Sequence, residues 1–216
     1  MPEQLPPEFY TRDTLTLARD LLGKRMVRRF EGQRLAGYIT EVEAYIGEED
    51  EACHANSGQT ERTAPMYGPP GHLYVYLIYG MYHCLNIVTE REGFPAAILV
   101  RALRPVEGLA TIRDLRGAQH AERDLARGPG RLCDALAIDR SFNHACLYGE
   151  DPRLWLEQAP AVPADEIARS PRINVRGDER ARTVRWRFYL RDSRWVSGKR
   201  AFNRRYAQAP ASDDAS

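Results

Sequence analysis

Lysine is nearly missing from this chain of 216 residues: of 31 basic residues, only Lys24 and Lys199 are lysine and 29 are arginine. Few amines are therefore on hand for Schiff-base chemistry, while planar guanidinium forks abound that grip phosphate in pairs. Long apolar runs are missing too. None approaches the roughly 18 residues of a membrane span. No basic segment followed by an apolar stretch and a small-residue cleavage site opens the chain, so a cytoplasmic protein is expected. The four cysteines, Cys53, Cys84, Cys133 and Cys146, form no C-x-x-C pair. They read as reduced thiols rather than as a disulfide or zinc framework. Repeats, low-complexity stretches and long linkers are absent as well. One domain over residues 1–206 is expected, with an extended Pro-rich head (Met1–Pro7) and a frayed tail over 207–216.

What is present suits a globular fold: 43% of residues are hydrophobic and 28% charged, with a net charge of +1. That balance excludes disorder and collagen-like chains. A chain of this length buries about 70% of its unfolded surface and needs no covalent staple. The small net charge hides an asymmetry. Residues 1–100 carry −5 and residues 101–216 carry +6, with +10 concentrated in 169–205. An arginine-rich segment fits a polyanionic partner; an ordinary solvated face fits equally well.

Local patterns give the elements. Thr14–Leu22 reads as a helix capped by Asp13 and stopped by Gly23, with Leu15, Ala18 and Leu22 on one stripe. Arg25–Phe30, Glu31-Gly32 and Arg34–Tyr45 read as a hairpin. His72–Tyr79 and Asn86–Thr89 read as strands around a Gly80-Met81 turn, and Ala96–Leu103 as another strand. Val106–Arg116 and Leu132–Ile138 read as helices, the second following Gly128-Pro129-Gly130. In Val184–Arg191, apolar residues alternate with Arg185, Arg187, Tyr189 and Arg191, which predicts a half-buried strand with a basic outer face. Without a βαβ rhythm, the class is α+β with an antiparallel sheet.

Several clusters can carry chemistry. In Gly37–Tyr45, Glu41, Glu43 and Tyr45 share one side of a strand. This is a catalytic carboxylate pair or a plain solvent-facing surface. Glu51 and His54 have E-x-x-H spacing, but no second such pair exists for a bridged metal, so no metal is expected. His72–Asn86 holds Tyr74, Tyr76, Tyr79, Tyr82 and His83, either core aromatics or a platform for stacking bases. Tyr79 and Tyr82 flank a tip suited to wedging between base pairs. Arg101, in an apolar strand, requires an anionic partner, Glu43 or a phosphate.

Taken in order, LARDLLGK (17–24), TEVEAYIGEEDEACH (40–54), GHLYVYLIYGMYHCLNIV (71–88), ILVRALRP (98–105), GPGRLCDALAI (128–138) and RFYLRDSRWVS (187–197) resemble the alkyladenine (3-methyladenine) DNA glycosylase family over most of residues 9–198. The resemblance implies a compact α+β domain with a curved sheet and a protruding DNA-inserting hairpin. It implies a monomer without metal, nucleotide or other cofactor, acting on double-stranded DNA. The family flips damaged purines out of the duplex and hydrolyses their N-glycosidic bond.

Its roles fall on residues of this sequence. Glu43 is the base that activates water, Arg101 helps hold that water, and the Val196 carbonyl completes its shell. Tyr45 and His54 on one face and Tyr76 on the other sandwich the flipped base. Asn86 clashes with the 2-amino group of guanine. Tyr79, with Met81 beside it, fills the gap in the duplex. Arg131, Arg185, Arg187 and Arg191 are candidate phosphate contacts. His83 stands where animal members carry Phe, and Ala55–Gly58 is shorter and less basic than theirs, which bears on substrate range.

Overall fold

The computed structural model describes residues 3–208. Among them, eight strands form one antiparallel sheet in the order β3-β4-β5-β2-β1-β6, with β8 pairing β2 and β7. The strands are β1 (Arg25–Phe30), β2 (Gln33–Ile46), β3 (Leu73–Ile78), β4 (Tyr82–Val88), β5 (Ala96–Glu107), β6 (Leu154–Glu157), β7 (Ile167–Ser170) and β8 (Arg187–Leu190). The helices are α1 (Thr14–Leu21), α2 (Leu109–Arg116), α3 (Pro129–Ala135), α4 (Glu179–Thr183) and α5 (Arg200–Ala207). None is long and apolar enough to cross a membrane. The class is α+β, as expected.

Local chemistry explains the ends of α1. The Asp13 carboxylate accepts the Thr16 N–H at 2.9 Å, satisfying a donor that the helix leaves open. Leu17, Ala18 and Leu21 face the core and Leu15 is only half-buried, so the stripe sits slightly off the one expected. Two other helices shift as well. β5 runs on to Glu107 before α2 begins at Leu109, and α3 begins at Pro129, where a proline costs no hydrogen bond.

β2 is the spine. It pairs β5 along Ala36–Ile46 on one edge, and β1 and then β8 on the other. Gly37 permits the β5 approach: a Cβ there would lie 2.9 Å from the Arg104 carbonyl oxygen. The β2–β5 register slips on both sides of Glu41, leaving Thr40 and Arg101 without paired partners. Such bulges bend a strand and re-aim its side chains. Val42 and Ala44 enter the main core beside Leu21, Ile98 and Val100. Glu41 and Glu43 occupy the opposite face, also with no solvent exposure.

Two expectations need correction. Val184–Arg191 is not one strand: α4 ends at Thr183 and only Arg187–Leu190 is extended. Its second face is not an outer one, because Arg187 is wholly buried. α5 and Ser197 cover that side. Of the tail expected to fray over 207–216, residues 209–216 lie outside the described residues; Ala207 ends α5 and packs on Ala168, Tyr189 and Val196. In the head, Leu5 is buried and Pro7–Phe9 forms a 3-10 turn.

A buried ion pair ties the loop after β7 to the sheet. Arg172 grips both Asp50 oxygens at 2.6 and 2.7 Å and donates to the Ala44 and Ala181 carbonyls. Breaking such a pair from one side strands a buried charge. Arg172→Ala should therefore lower unfolding free energy by about 3–5 kcal/mol, read as an earlier urea midpoint at unchanged slope.

Candidate active site

The two carboxylates of β2 meet two guanidiniums. Glu43 Oε1 accepts the Ile173 N–H at 2.7 Å, and its Oε2 accepts Arg101 Nη1 at 3.0 Å and the Tyr45 hydroxyl at 2.9 Å. Glu41 Oε1 accepts Arg101 Nε at 2.8 Å, Arg187 Nε at 2.7 Å and the Ser197 hydroxyl at 2.9 Å, while Oε2 takes the Ser197 N–H at 2.6 Å. Despite full burial, the Arg187 and Arg101 cations hold the Glu41 carboxyl down to about 2. Burying a charge is costly unless it is paired and hydrogen-bonded. Both acids meet that condition, so neither is a plain surface residue.

This cluster lies behind a cleft of about 950 Å³. Arg101, Tyr45 and Ile173, the three donors to Glu43, all line it. Asn86 stands in the wall, its amide donating to the Tyr74 carbonyl at 3.0 Å. Tyr76 and His54 also line it, but not as opposite faces of a slot. Their rings touch edge-to-face, with centroids 4.6 Å apart. A flat base between two rings needs about 7 Å, twice the contact distance of carbon atoms. His54 and Tyr76 therefore do not face each other across a slot in this structure. His54 Nδ1 meets the Tyr74 hydroxyl at 2.9 Å, and among the described residues no three His, Cys, Asp or Glu side chains converge as a metal would require.

The hairpin of β3 and β4 overhangs the cleft. Tyr79 and Gly80 adopt left-handed φ values of 54° and 70°, and the Met81 N–H closes the turn on the Ile78 carbonyl at 3.2 Å. Glycine accepts that geometry readily and tyrosine does not. Tyr79 is 79% exposed and Met81 64%. Large apolar side chains held out in water mark a contact surface.

Other predicted residues scatter. Val196 packs beside Tyr189 and Ala168, and its neighbour Ser197 carries the segment's link to Glu41. Arg187 is withdrawn as a phosphate contact because its guanidinium is buried on Glu41, Ser170 and Asn203. Arg191 caps the Asp165 and Ile167 carbonyls, and Arg185 lies over the Tyr206 ring. Only Arg131 of the four lines the cleft, joined there by Arg127 and Arg176. The sequence reading missed these two, and it missed Ile173, Arg172 and Ser197. A backbone N–H leaves no trace in residue type, and Ile173 lies 130 residues from Glu43.

The family model for methylpurine-DNA glycosylase matches residues 8–194. The chain belongs to the methylpurine-DNA glycosylase family. It is 51% identical over 201 residues to a protein of Methanocella arvoryzae, covering 91% of this chain and 96% of that one. It is 46% identical over 204 residues to one from Alkaliphilus oremlandii, covering 91% and 100%. A protein of Anaeromyxobacter dehalogenans is 50% identical over 197 residues, covering 90% and 86%. All three bear the name "Putative 3-methyladenine DNA glycosylase". This glycosylase is accordingly a hydrolase of the bond between base and sugar in DNA.

The aromatic wall of the glycosylase stays neutral. Burial, with the Arg62 cation nearby, brings His54 down to about 4. A folded value below the ordinary one means that stability is complete above the unfolded value near 6.5 and declines as pH falls toward 4. NMR titration of the His54 ring should show a midpoint near 4 and no charge change at neutral pH.

Proposed function

We propose that this glycosylase removes damaged purines from duplex DNA by water attack on C1′, with Glu43 as the general base. Alkylated purines such as 3-methyladenine and 7-methylguanine are the favoured substrates, with hypoxanthine and ethenoadenine as neutral candidates. The observation that carries this is the state of Glu43. A carboxylate offers about four lone-pair positions. Oε2 already accepts two donors and Oε1 only one. One position on Oε1 is thus open for a water, on the oxygen that also accepts the N–H of the cleft-lining Ile173.

The rest of the site supports each step. The flipped nucleotide enters between the hairpin and the loop carrying Ile173, and the aromatic wall stacks its base. The transition state resembles an oxocarbenium ion, as in glycoside hydrolysis. A fixed negative charge stabilises that cation and accepts the water's proton. An alkylated purine already carries positive charge, so it leaves without a general acid. Stacking on electron-rich rings favours such a cation by about 0.5–2 kcal/mol. Asn86 stands as a steric gate against the guanine 2-amino group. Tyr79 and Met81 fill the space that the flipped nucleotide vacates, and Arg131, Arg127 and Arg176 meet phosphates. Neither lysine lines the cleft, and Lys24 is tied to the Ala159 carbonyl at 2.6 Å. The product is then an abasic site in an uncut strand. The expected setting is a monomer in the cytoplasm.

The deciding measurement is single-turnover base release from duplexes carrying 3-methyladenine or hypoxanthine, in excess chelator. Wild type should release the base, and Glu43→Gln should lose at least about 10²-fold in rate while still binding the lesion. Release by neither protein, with tight binding, would instead mark a lesion-binding protein without catalysis. Loss of wild-type release in chelator would point to a metallohydrolase. Tyr79→Ala should slow excision from duplex by about tenfold or more, since unstacking costs a few kcal/mol, yet leave excision from single strands little changed. Equal losses on both would remove the wedge role.

A further inference from the structure

We propose that Glu41 is a positioning residue, the permanent anchor that keeps the Arg101 guanidinium in place while Glu43 changes charge. This rests on the general-base reading of Glu43 given above. All of Glu41's hydrogen bonds go to Arg101, Arg187 and Ser197, and of these only Arg101 lines the cleft, so its action passes through Arg101.

The geometry is that of a fork held at its root. Arg101 makes three side-chain contacts: Nε to Glu41 Oε1 at 2.8 Å, Nη2 to the Ser197 hydroxyl at 3.3 Å and Nη1 to Glu43 at 3.0 Å. A guanidinium is planar, so fixing Nε and Nη2 fixes where Nη1 points. Both of those contacts belong to the Glu41 group, since Ser197 itself donates N–H and O–H to Glu41. Only the third contact involves the acid that reacts.

Charge makes the anchor necessary during turnover. Glu43 loses its negative charge when it accepts the water's proton. Arg101 then keeps a single counter-charge, Glu41, at the moment when the sugar is also cationic. Glu41 stays ionised throughout, because Arg187 supplies a second guanidinium, itself held by Ser170 at 2.9 Å and Asn203 at 3.1 Å. Two acids and two guanidiniums thus balance before the proton moves, and the Glu41 arm remains satisfied after it.

The rival account is that Glu41 only balances the buried Arg187, and one double variant separates the two. Glu41→Gln/Arg187→Met removes one charge of each sign, so the core stays neutral. With Arg187 gone, three donors still face position 41, the Ser197 N–H, the Ser197 hydroxyl and Arg101 Nε, and the one amide oxygen of glutamine accepts two at most. Thermal midpoint, lesion-duplex Kd and single-turnover release would be measured on the full chain. The expected result is a melting temperature near that of wild type and a Kd within about threefold, with release slowed by about tenfold to a hundredfold, the usual penalty for a misplaced group. Recovery of wild-type release together with stability would overturn the proposal. So would a loss confined to Kd.

If the double variant does not fold, side-chain NMR of the Arg101 Nε–H in Glu43→Gln decides. A slowly exchanging Nε–H, as in wild type, shows that the anchor holds without the Glu43 charge. Its loss would show that Glu43, not Glu41, holds the arginine, and would overturn the proposal. This readout does not depend on base release, so a failure of the glycosylase reading would be seen separately, as no release by wild type.

Discussion

A buried square of two carboxylates and two guanidiniums governs this molecule. Each isolated ion would cost several kcal/mol to bury, even after local relaxation. The sheet therefore cannot cover Glu41 and Glu43 without also delivering their partners. That requirement accounts for the length of β2, the register slips beside Glu41 that free Arg101, and the docking of β8 so that Arg187 lies beside Glu41. It also accounts for the turn that aims the Ser197 N–H inward and for α5, whose Asn203 holds Arg187 from the far side. The fold is arranged so that one face of one strand can stay charged and dry.

The same constraint marks what sequence reasoning could reach. α1, the β1–β2 hairpin, the β3–β4 hairpin and β5 were legible because alternation, caps and turn residues act over a few positions. The sharing of one face by Glu41, Glu43 and Tyr45 was legible for the same reason. What covered that face was not. Alternation tells which side a residue takes, but not whether solvent lies there. Arg187 was placed on the correct side of β8 and wrongly given to water. Its cover comes from Ser197 and Asn203, ten and sixteen residues further on. Roles for Glu43, Arg101, Tyr76 and Tyr79 came from the family resemblance, since spacing alone left each with a plainer reading. β6, β7 and α5 carried too little periodicity to be read.

The cleft combines a rigid floor with a movable wall. Glu43 is pinned from three directions, whereas the His54–Tyr76 contact is a single edge-to-face pair, worth about 0.5–1.5 kcal/mol beyond its buried area. The wall can thus adjust without disturbing the contacts that fix Glu43. Its His54 stays neutral at neutral pH and brings no cation to the wall.

The charged square also sets a timetable for biosynthesis. Glu41 and Arg187 are 146 residues apart in the chain. At synthesis rates of roughly 5–20 residues per second, the acid is made about 7–30 s before its second cation, Arg187. During that interval β2 can pair with β1 and β5, but its acidic face must stay wet. The N-terminal two-thirds of the sheet thus waits, half closed, for the last quarter of the chain. Docking β8 on β2 and completing the ion cluster thus become one event, because Arg187 arrives with β8.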